Sequence, residues 1–112
     1  MKIDQLLPLP SHKQLFRRSH VKFFPSQRGC YLLATFDEEI LYIGLSVNLR
    51  NRIEQHLDNP EKTLLTPNGR AVIVHYLETS EPERLERTWM NKAISIDGCL
   101  PILNRAYSPT NV

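Results

Sequence analysis

The sequence lacks the features that mark several broad classes of protein. No apolar run approaches the ~18 residues that a membrane-spanning helix needs, and Asp4 and two prolines interrupt the short apolar stretch where a signal peptide would lie. Only two cysteines are present, Cys30 and Cys99, and neither has the CxxC or Cys/His spacing of a zinc site. We therefore expect an intracellular, cytoplasmic protein whose two thiols are reduced.

The chain has the size and composition of one ordinary globular domain. Its 112 residues are 41% hydrophobic and 23% charged, which is typical of a folded soluble chain. A chain of this length can bury one modest core but not two. We therefore expect a single domain with a single functional site.

Residues 1–28 differ from the rest of the chain in charge. They hold six basic residues and one acidic residue, whereas the remainder holds eight basic and eleven acidic residues, and the whole chain carries +2. Positive charge interleaved with aromatic rings can follow a phosphate backbone, which makes Arg17, Arg18 and Lys22 candidate contacts to nucleic acid. The alternative is a solvated segment that its aromatic side chains attach to the domain, and the sequence leaves both open.

The pattern after residue 28 predicts a β-hairpin. Cys30–Phe36 and Ile40–Ile43 are rich in the apolar and aromatic side chains that strands favour, and Asp37–Glu39 form a polar turn between them. The turn lacks an Asn-Gly or Asp-Gly signature, so the register is open. If the loop has an even number of residues, Tyr31 and Tyr42 face the same side of the sheet. If the number is odd, they face opposite sides.

Capping and breaking residues predict the remaining elements. Ser80 and Glu83 have the spacing of a capping box, and Gly98 follows as a helix stop. The predicted elements are a short helix from Ser11 to about Ser19, a helix capped by Ser46 or Asn48 and ending near Leu57, a loop over 58–69, a third strand over Arg70–Leu77, a helix over Glu81–Ile96, and an extended segment Pro101–Asn104 that packs back.

Two polar side chains on the first long helix lie where burial is expected. Leu49, Ile53 and Leu57 define its buried stripe, and Arg52 and His56 share one edge of that inward face, one turn apart. A guanidinium at the margin of a core is costly unless it is paired, and its planar fork suits phosphate or carboxylate. The alternatives are an anion-binding pair and a structural pair in which Arg52 meets a neighbouring carboxylate and His56 simply packs.

The last long helix carries a polar residue of opposite sign. Glu86 lies within the apolar arc that Leu85, Trp89 and Ala93 define. A carboxylate in that position needs a cation, either an arginine or a metal ion. The two helices therefore aim a basic and an acidic group at one sheet, which also supplies Tyr31 and Tyr42.

These residues together resemble the GIY-YIG nuclease domain. Five elements occur in the family's order with compatible spacing. They are Gly29-Cys30-Tyr31, Tyr42-Ile43-Gly44, the helix segment with Ser46, Asn48, Leu49, Arg52 and His56, the segment Leu85-Glu86-Arg87-Thr88-Trp89, and the closing segment Pro101-Ile102-Leu103-Asn104. Cys30 departs from the usual isoleucine of the first tripeptide, but its side chain faces away from Tyr31.

The resemblance implies a fold and a chemistry. The fold is a small α/β (α+β) domain with a three-stranded antiparallel sheet flanked by helices, and the chemistry is metal-dependent hydrolysis of a DNA phosphodiester. Glu86 matches the ligand of a divalent cation, Mg²⁺ or Mn²⁺, and Arg52 matches the group that stabilises the scissile phosphate. Tyr31 matches the hydroxyl held near the attacking water, and Tyr42 and His56 match supporting positions that orient or deprotonate that water, with the general base left open. Asn104 matches a late asparagine near the site.

The resemblance covers residues 29–104. We therefore expect a nuclease-like domain over 29–104, a basic N-terminal arm or covering segment over 1–28, and a C-terminal tail over 105–112. We expect duplex or branched DNA as substrate in repair or recombination, no membrane association, and specificity from the basic segment, a homodimer or a partner protein. Arg50 and Asn104 are further candidate nucleic-acid contacts. The competing hypotheses are a non-cleaving nucleic-acid-binding module that keeps the nuclease fold and a purely structural partner domain.

Overall fold

Four strands form one antiparallel sheet in the computed structural model, which describes residues 1–105. The strands are β1 (His12–Leu15), β2 (Gly29–Ala34), β3 (Ile40–Ser46) and β4 (Ile73–Glu78), and their order across the sheet is β1-β4-β2-β3. The helices are α1 (Leu49–Leu57), α2 (Pro60–Thr63), α3 (Pro82–Asp97) and α4 (Ile102–Arg105), with 3₁₀ helices over Ile3–Gln5 and Arg18–Phe23.

The fourth strand corrects the expectation of a three-stranded sheet. The helix predicted over Ser11–Ser19 is wrong, because β1 pairs with β4 from His12 opposite Tyr76 to Leu15 opposite Ile73. The backbone N–H groups of Ser11 and Phe16 extend this pairing to carbonyls at residues 76 and 72. A strand here covers the backbone groups that β4 would otherwise expose at its edge.

A bulge sets the register of the hairpin. The loop over 35–39 has five residues, and Ala34 pairs with Ile40 at its end. The next pair is Leu33 with Tyr42, so Leu41 is an extra residue in β3. A loop with an odd number of residues would place Tyr31 and Tyr42 on opposite faces of the sheet. The extra residue in β3 shifts the alternation by one, so Tyr42 lies on the same face as Tyr31.

The sheet separates two hydrophobic cores. Trp89 of α3 is fully buried on one face with the even-numbered side chains of β2, and its indole N–H donates to the carbonyl of Pro8 at 2.9 Å. The other face packs Tyr31 and Leu33 against α1. Residues 1–28 contribute to both cores, through Met1, Ile3 and Leu6 on the first face and Phe16 and Phe24 on the second. The domain boundary at residue 29 stays a prediction.

The helices confirm most of the predicted bounds. Asn48 caps α1 by accepting the N–H of Asn51 at 3.1 Å, and Gly98 ends α3 in a left-handed conformation at φ 77°. The predicted capping box does not form, because Glu81 rather than Ser80 occupies the N-cap of α3.

Two segments differ from the sequence prediction. The interval 58–69 was expected to be a loop but contains α2, which Asn59 caps through the N–H of Glu61 at 2.9 Å. The closing segment packs back as expected but forms the helix α4 instead of an extended segment. Apart from Arg105, the predicted tail over 105–112 lies outside the described residues. No helix within residues 1–105 is long and apolar enough to cross a membrane.

Candidate active site

A buried hydrogen bond joins β2 to α1 at the centre of the site. The Tyr31 hydroxyl and Nε2 of His56 are 2.6 Å apart, and the side chains are 0% and 6% exposed. Polar groups at this depth are stable only when they are hydrogen-bonded, and here each satisfies the other. The sequence places His56 at the edge of the inward face of α1. In the structure the imidazole meets a polar partner there, the Tyr31 hydroxyl.

Tyr42 completes a cluster of three rings. Its ring centroid lies 6.1 Å from that of Tyr31 and 5.5 Å from that of His56, and its side chain is half-buried. We call Tyr31, Tyr42 and His56 the aromatic cluster. Because Tyr42 is more exposed than the other two, it is the member that a bound substrate can reach.

Gly44 leaves the space that the cluster occupies. It pairs directly with Tyr31 across β2 and β3. A Cβ atom at residue 44 would lie 2.5 Å from the Tyr31 hydroxyl oxygen and 2.8 Å from Cε2 of Tyr42. Glycine is therefore required here because the two tyrosine rings lie over its backbone.

Replacing Gly44 with alanine should damage both the fold and the site. The added methyl group overlaps the Tyr31 ring, so we expect a loss of about 1–3 kcal/mol in the free energy of unfolding and displacement of the Tyr31 hydroxyl from His56. Thermal unfolding and a cleavage assay measure the two effects. Val47→Ala is the control, since that side chain is 76% exposed, and a Gly44→Ala protein with unchanged melting temperature would contradict the packing described here.

Arg52 brings a positive charge to the cluster. Burial and the neighbouring Tyr42 raise the pKa of Tyr31 well above its usual value, and the charge and hydrogen bond of Arg52 oppose that rise. Arg52 is half-buried, and no carboxylate in residues 1–105 lies within salt-bridge distance of its guanidinium group. The structural pairing that the sequence left open is thus not formed within the described chain, and the site holds a cation suited to an anion.

Glu86 brings a negative charge from the other face of the sheet. It lies on α3, which packs against the edge strand β3, and it is half-buried. Burial and the nearby Glu83 raise its pKa. Its charge contributes to the raised pKa values of Tyr42 and Cys30, in addition to their burial, so the carboxylate lies close to both.

The surroundings of Glu86 fit a hard divalent cation with few protein ligands. In the part of the chain that the structure describes, Glu86 has no Lys, Arg or His within salt-bridge distance. No group of three or more His, Cys, Asp and Glu side chains within residues 1–105 could hold a metal ion. Mg²⁺ is commonly bound through one or two carboxylates, with waters and substrate phosphates completing its shell. A half-buried carboxylate at the edge of the sheet suits that mode.

Lys62 is a residue of the site that the sequence reasoning missed. It lies on α2, is 1% exposed, and places Nζ 4.6 Å from the centroid of the Tyr42 ring. Burial lowers its pKa to about 8. Burial, Lys62 and Arg52 together lower the pKa of His56 to about 4, so the imidazole is neutral at pH 7. Asn59-Pro60 is a helix-start signal that could have revealed α2.

Several predicted nucleic-acid contacts are bound to the chain itself. The Asn104 amide accepts the N–H of Ile43 at 2.9 Å and donates to its carbonyl at 3.0 Å, which covers the open edge of β3. Arg50 donates to the carbonyls of Phe24 and Lys22. Arg18 pairs with Asp58, while Arg17 and Lys22 are exposed. Contact of these residues with DNA stays a prediction.

Comparison with known proteins gives the family. Residues 27–95 match the model of the GIY-YIG catalytic domain. The chain belongs to the GIY-YIG family. The expected family is thereby confirmed, and the match spans both tripeptides and every member of the candidate site from Tyr31 to Glu86. In the GIY-YIG fold of this chain the two tripeptides lie on paired strands, which places Tyr31 opposite Gly44.

Individual relatives are similar to parts of this GIY-YIG chain. It is 36% identical over 70 residues to the UvrABC system protein C of Bdellovibrio bacteriovorus, covering 59% of this chain and 11% of that protein. It is 40% identical over 42 residues to the UvrABC system protein C of Prochlorococcus marinus subsp. pastoris, and this match covers 38% of this chain and 6% of that protein. The chain thus matches about a tenth or less of the length of these relatives.

One solved structure is similar at lower identity. It is the GIY-YIG N-terminal endonuclease domain of UvrC from Thermotoga maritima, a point mutant bound to its catalytic divalent cation. The match has 18% sequence identity and a TM-score of 0.48, and covers 77% of this chain and 91% of that one.

Proposed function

We propose that this protein is a metal-dependent endonuclease that hydrolyses DNA phosphodiester bonds at the site formed by the aromatic cluster, Arg52 and Glu86. The observation that carries the proposal is the pair of opposite charges beside the cluster. Within residues 1–105, neither Arg52 nor Glu86 forms a salt bridge. A phosphate bound at Arg52 and a divalent cation bound at Glu86 would satisfy both charges at once.

The roles of the residues follow from their exposure and protonation. Phosphodiester hydrolysis needs a deprotonated water and charge compensation on the phosphate. Arg52 would hold the non-bridging oxygens with its planar fork. Mg²⁺ or Mn²⁺ held by Glu86 would supply Lewis-acid stabilisation of the phosphate and the leaving oxygen.

Tyr42, and not Tyr31 as the resemblance implies, is the hydroxyl group that we assign to the attacking water. Tyr31 is fully buried and its hydroxyl is bound to His56, whereas Tyr42 is half-buried and lies close to Glu86. His56, neutral at pH 7, would accept a hydrogen bond from the Tyr31 hydroxyl and fix the direction of that group. Tyr31 and His56 would therefore orient the site, while Tyr42 contacts the water.

Nicking of DNA tests the proposed activity. Supercoiled plasmid and branched DNA are incubated with the protein in Mg²⁺, in Mn²⁺ and in EDTA, and the products are separated on gels. We expect cleavage with either metal and none in EDTA. Equal cleavage in EDTA would overturn the metal dependence. Salt-dependent DNA binding without cleavage in any metal would support the non-cleaving module instead.

Substitution of the tyrosines should separate the water contact from the positioning group. Tyr42→Phe is expected to lower kcat by ~10²–10⁴-fold, the usual contribution of a general base. Tyr31→Phe leaves Nε2 of His56 buried without its partner, so it should also lower the stability by about 1–3 kcal/mol. Tyr76→Phe on β4 is the matched control. A Tyr42→Phe protein that cleaves at the wild-type rate would contradict the assignment.

A further inference from the structure

The 3₁₀ helix over Arg18–Phe23 exposes an aromatic side chain that the core does not use. The sequence leaves open whether the aromatic residues of the N-terminal segment attach it to the domain or contact nucleic acid. Phe16 and Phe24 serve the first role, since they are 9% and 0% exposed and pack in the core that α1 covers. Phe23 is 52% exposed and adds little to that attachment. Because a single exposed apolar side chain is common on protein surfaces, the groups around Phe23 decide its role.

Basic and aromatic side chains surround the Phe23 ring. The His20 ring meets it edge-on with 5.5 Å between centroids, and Nζ of Lys22 lies 5.4 Å from its centroid. Nδ1 of His20 forms a hydrogen bond of 3.2 Å with the side-chain oxygen of Gln14 on β1. Arg17, at the start of the same 3₁₀ helix, and Lys22 are exposed. We call Arg17, His20, Lys22 and Phe23 the Phe23 surface.

The charge of this segment suits a polyanion. Between Asp4 and Asp37 the sequence contains five Lys and Arg residues and no Asp or Glu. Arg17 and Lys22 form no salt bridge within residues 1–105. Basic side chains bind nucleic-acid phosphates with release of counterions, and unpaired bases stack on exposed aromatic rings. The occupant that offers both phosphates and accessible base faces is a single DNA strand, since a duplex keeps its bases stacked inside.

Arg50 fixes the Phe23 surface to the helix that carries Arg52. Its Nε donates to the carbonyl of Phe24 at 2.8 Å, and its Nη2 donates to that of Lys22 at 3.3 Å. Arg52 follows Arg50 by two residues, or about 200° around the helix, so it lies on the side of α1 opposite the Phe23 surface. A strand that contacts both sides has to cross one helix, which is ~10–12 Å wide with its side chains.

We propose that the Phe23 surface binds an unpaired segment of the DNA substrate, with one base stacked on Phe23 and neighbouring phosphates at Arg17 and Lys22. The proposal rests on the proposed function for the phosphate at Arg52. It narrows the substrate class to DNA that is single-stranded beside the position of cleavage, such as a flap or a bubble. A blunt duplex offers this surface phosphates but no base face.

Equilibrium binding in EDTA tests the proposal without cleavage. Fluorescence anisotropy is measured with a labelled oligothymidylate, a blunt duplex, and the same duplex with an oligothymidylate flap. We expect the wild type to bind the flap and the single strand more tightly than the blunt duplex. Phe23→Ala should weaken binding of those two by about tenfold, within the range for stacking of one base on an aromatic side chain, and leave the duplex unchanged. Phe23→Tyr should keep the wild-type affinities.

Phe36→Ala is the matched control, because Phe36 is 82% exposed on the hairpin loop, outside the Phe23 surface. Unchanged single-strand affinity in Phe23→Ala, or an equal loss in Phe36→Ala, would overturn the proposal. Lys22→Ala should also lower the salt dependence of single-strand binding by about 0.7 in the slope of log affinity against log salt, the contribution of one phosphate contact. An unchanged slope would contradict the phosphate contact.

Two further outcomes separate the Phe23 surface from its alternatives. If Phe23→Ala converts a dimer to a monomer in analytical ultracentrifugation without changing DNA affinity, the surface joins two copies of the chain and the proposal fails. If the wild type binds unpaired DNA through Phe23 but cleaves no substrate in Mg²⁺, the proposed function fails and the Phe23 surface stands. Cleavage of flap and blunt duplex at equal rates by the wild type and Phe23→Ala would retain the function and overturn the role of this surface.

Discussion

A Glu86→Gln protein should bind DNA but cleave it at least ~10³-fold more slowly than the wild type, a loss of about 4 kcal/mol in transition-state stabilisation. Glutamine keeps the size and hydrogen-bonding capacity of the side chain and removes the charge that a divalent cation needs. Within residues 1–105 no group of three or more His, Cys, Asp and Glu side chains offers an alternative metal site. Single-turnover cleavage and fluorescence anisotropy measure the two quantities.

The stability of this variant gives an independent check. Burial and Glu83 raise the pKa of Glu86, so folding disfavours its charged form, and the penalty is present once the pH rises above the folded pKa. The neutral glutamine removes that penalty, and we expect a melting temperature at pH 7 no lower than that of the wild type. Glu54→Gln is the control, because it removes one negative charge at an exposed position on α1. Wild-type cleavage by Glu86→Gln would refute the assignment of the metal site.

Replacement of Arg52 should have the next largest effect. Arg52→Lys keeps the positive charge but loses the planar fork, and we expect cleavage to slow by ~10²–10³-fold, as on removal of one transition-state hydrogen-bond donor. Arg52→Ala should lose more, because it also removes the charge that opposes the raised pKa of Tyr31.

The pH dependence separates these two variants. Arg52 contributes to the lowered pKa of His56, after burial and Lys62, so Arg52→Ala should move the acid limb of the rate profile to higher pH while Arg52→Lys leaves it in place. Arg87→Lys is the control, since Arg87 is exposed on α3. Retention of the full rate by Arg52→Lys would show that the charge alone, and not the fork, serves the phosphate.

The sequence predicted the elements that carry the site because their periodicity is strong. The inward edge of α1 placed His56 toward the sheet, where it binds Tyr31, and the apolar arc of α3 marked Glu86 as out of place. Whether Tyr42 shares a face with Tyr31 could not be decided from the sequence. The answer depends on the extra residue Leu41 in β3, and a turn without a glycine signature gives no indication of such a bulge.

Other features depend on contacts distant in sequence. His12–Leu15 has one apolar residue and becomes a strand because β4 offers a free edge, so tertiary pairing overrides local preference. Lys62 follows a recognisable cap, but only the packing of α2 on α1 shows that its ammonium group meets Tyr42. Asn104 is bound to the backbone of Ile43, sixty-one residues earlier, which no local pattern indicates.

A crystal structure with Mn²⁺ and a short DNA duplex would show whether Glu86 binds the metal ion and Arg52 the phosphate. We expect an anomalous peak for manganese within bonding distance of the Glu86 carboxylate, a backbone phosphate on the Arg52 guanidinium, and the Tyr42 hydroxyl facing a water beside that phosphate. Manganese bound elsewhere, or DNA bound away from Arg52 with Glu86 vacant, would contradict these roles.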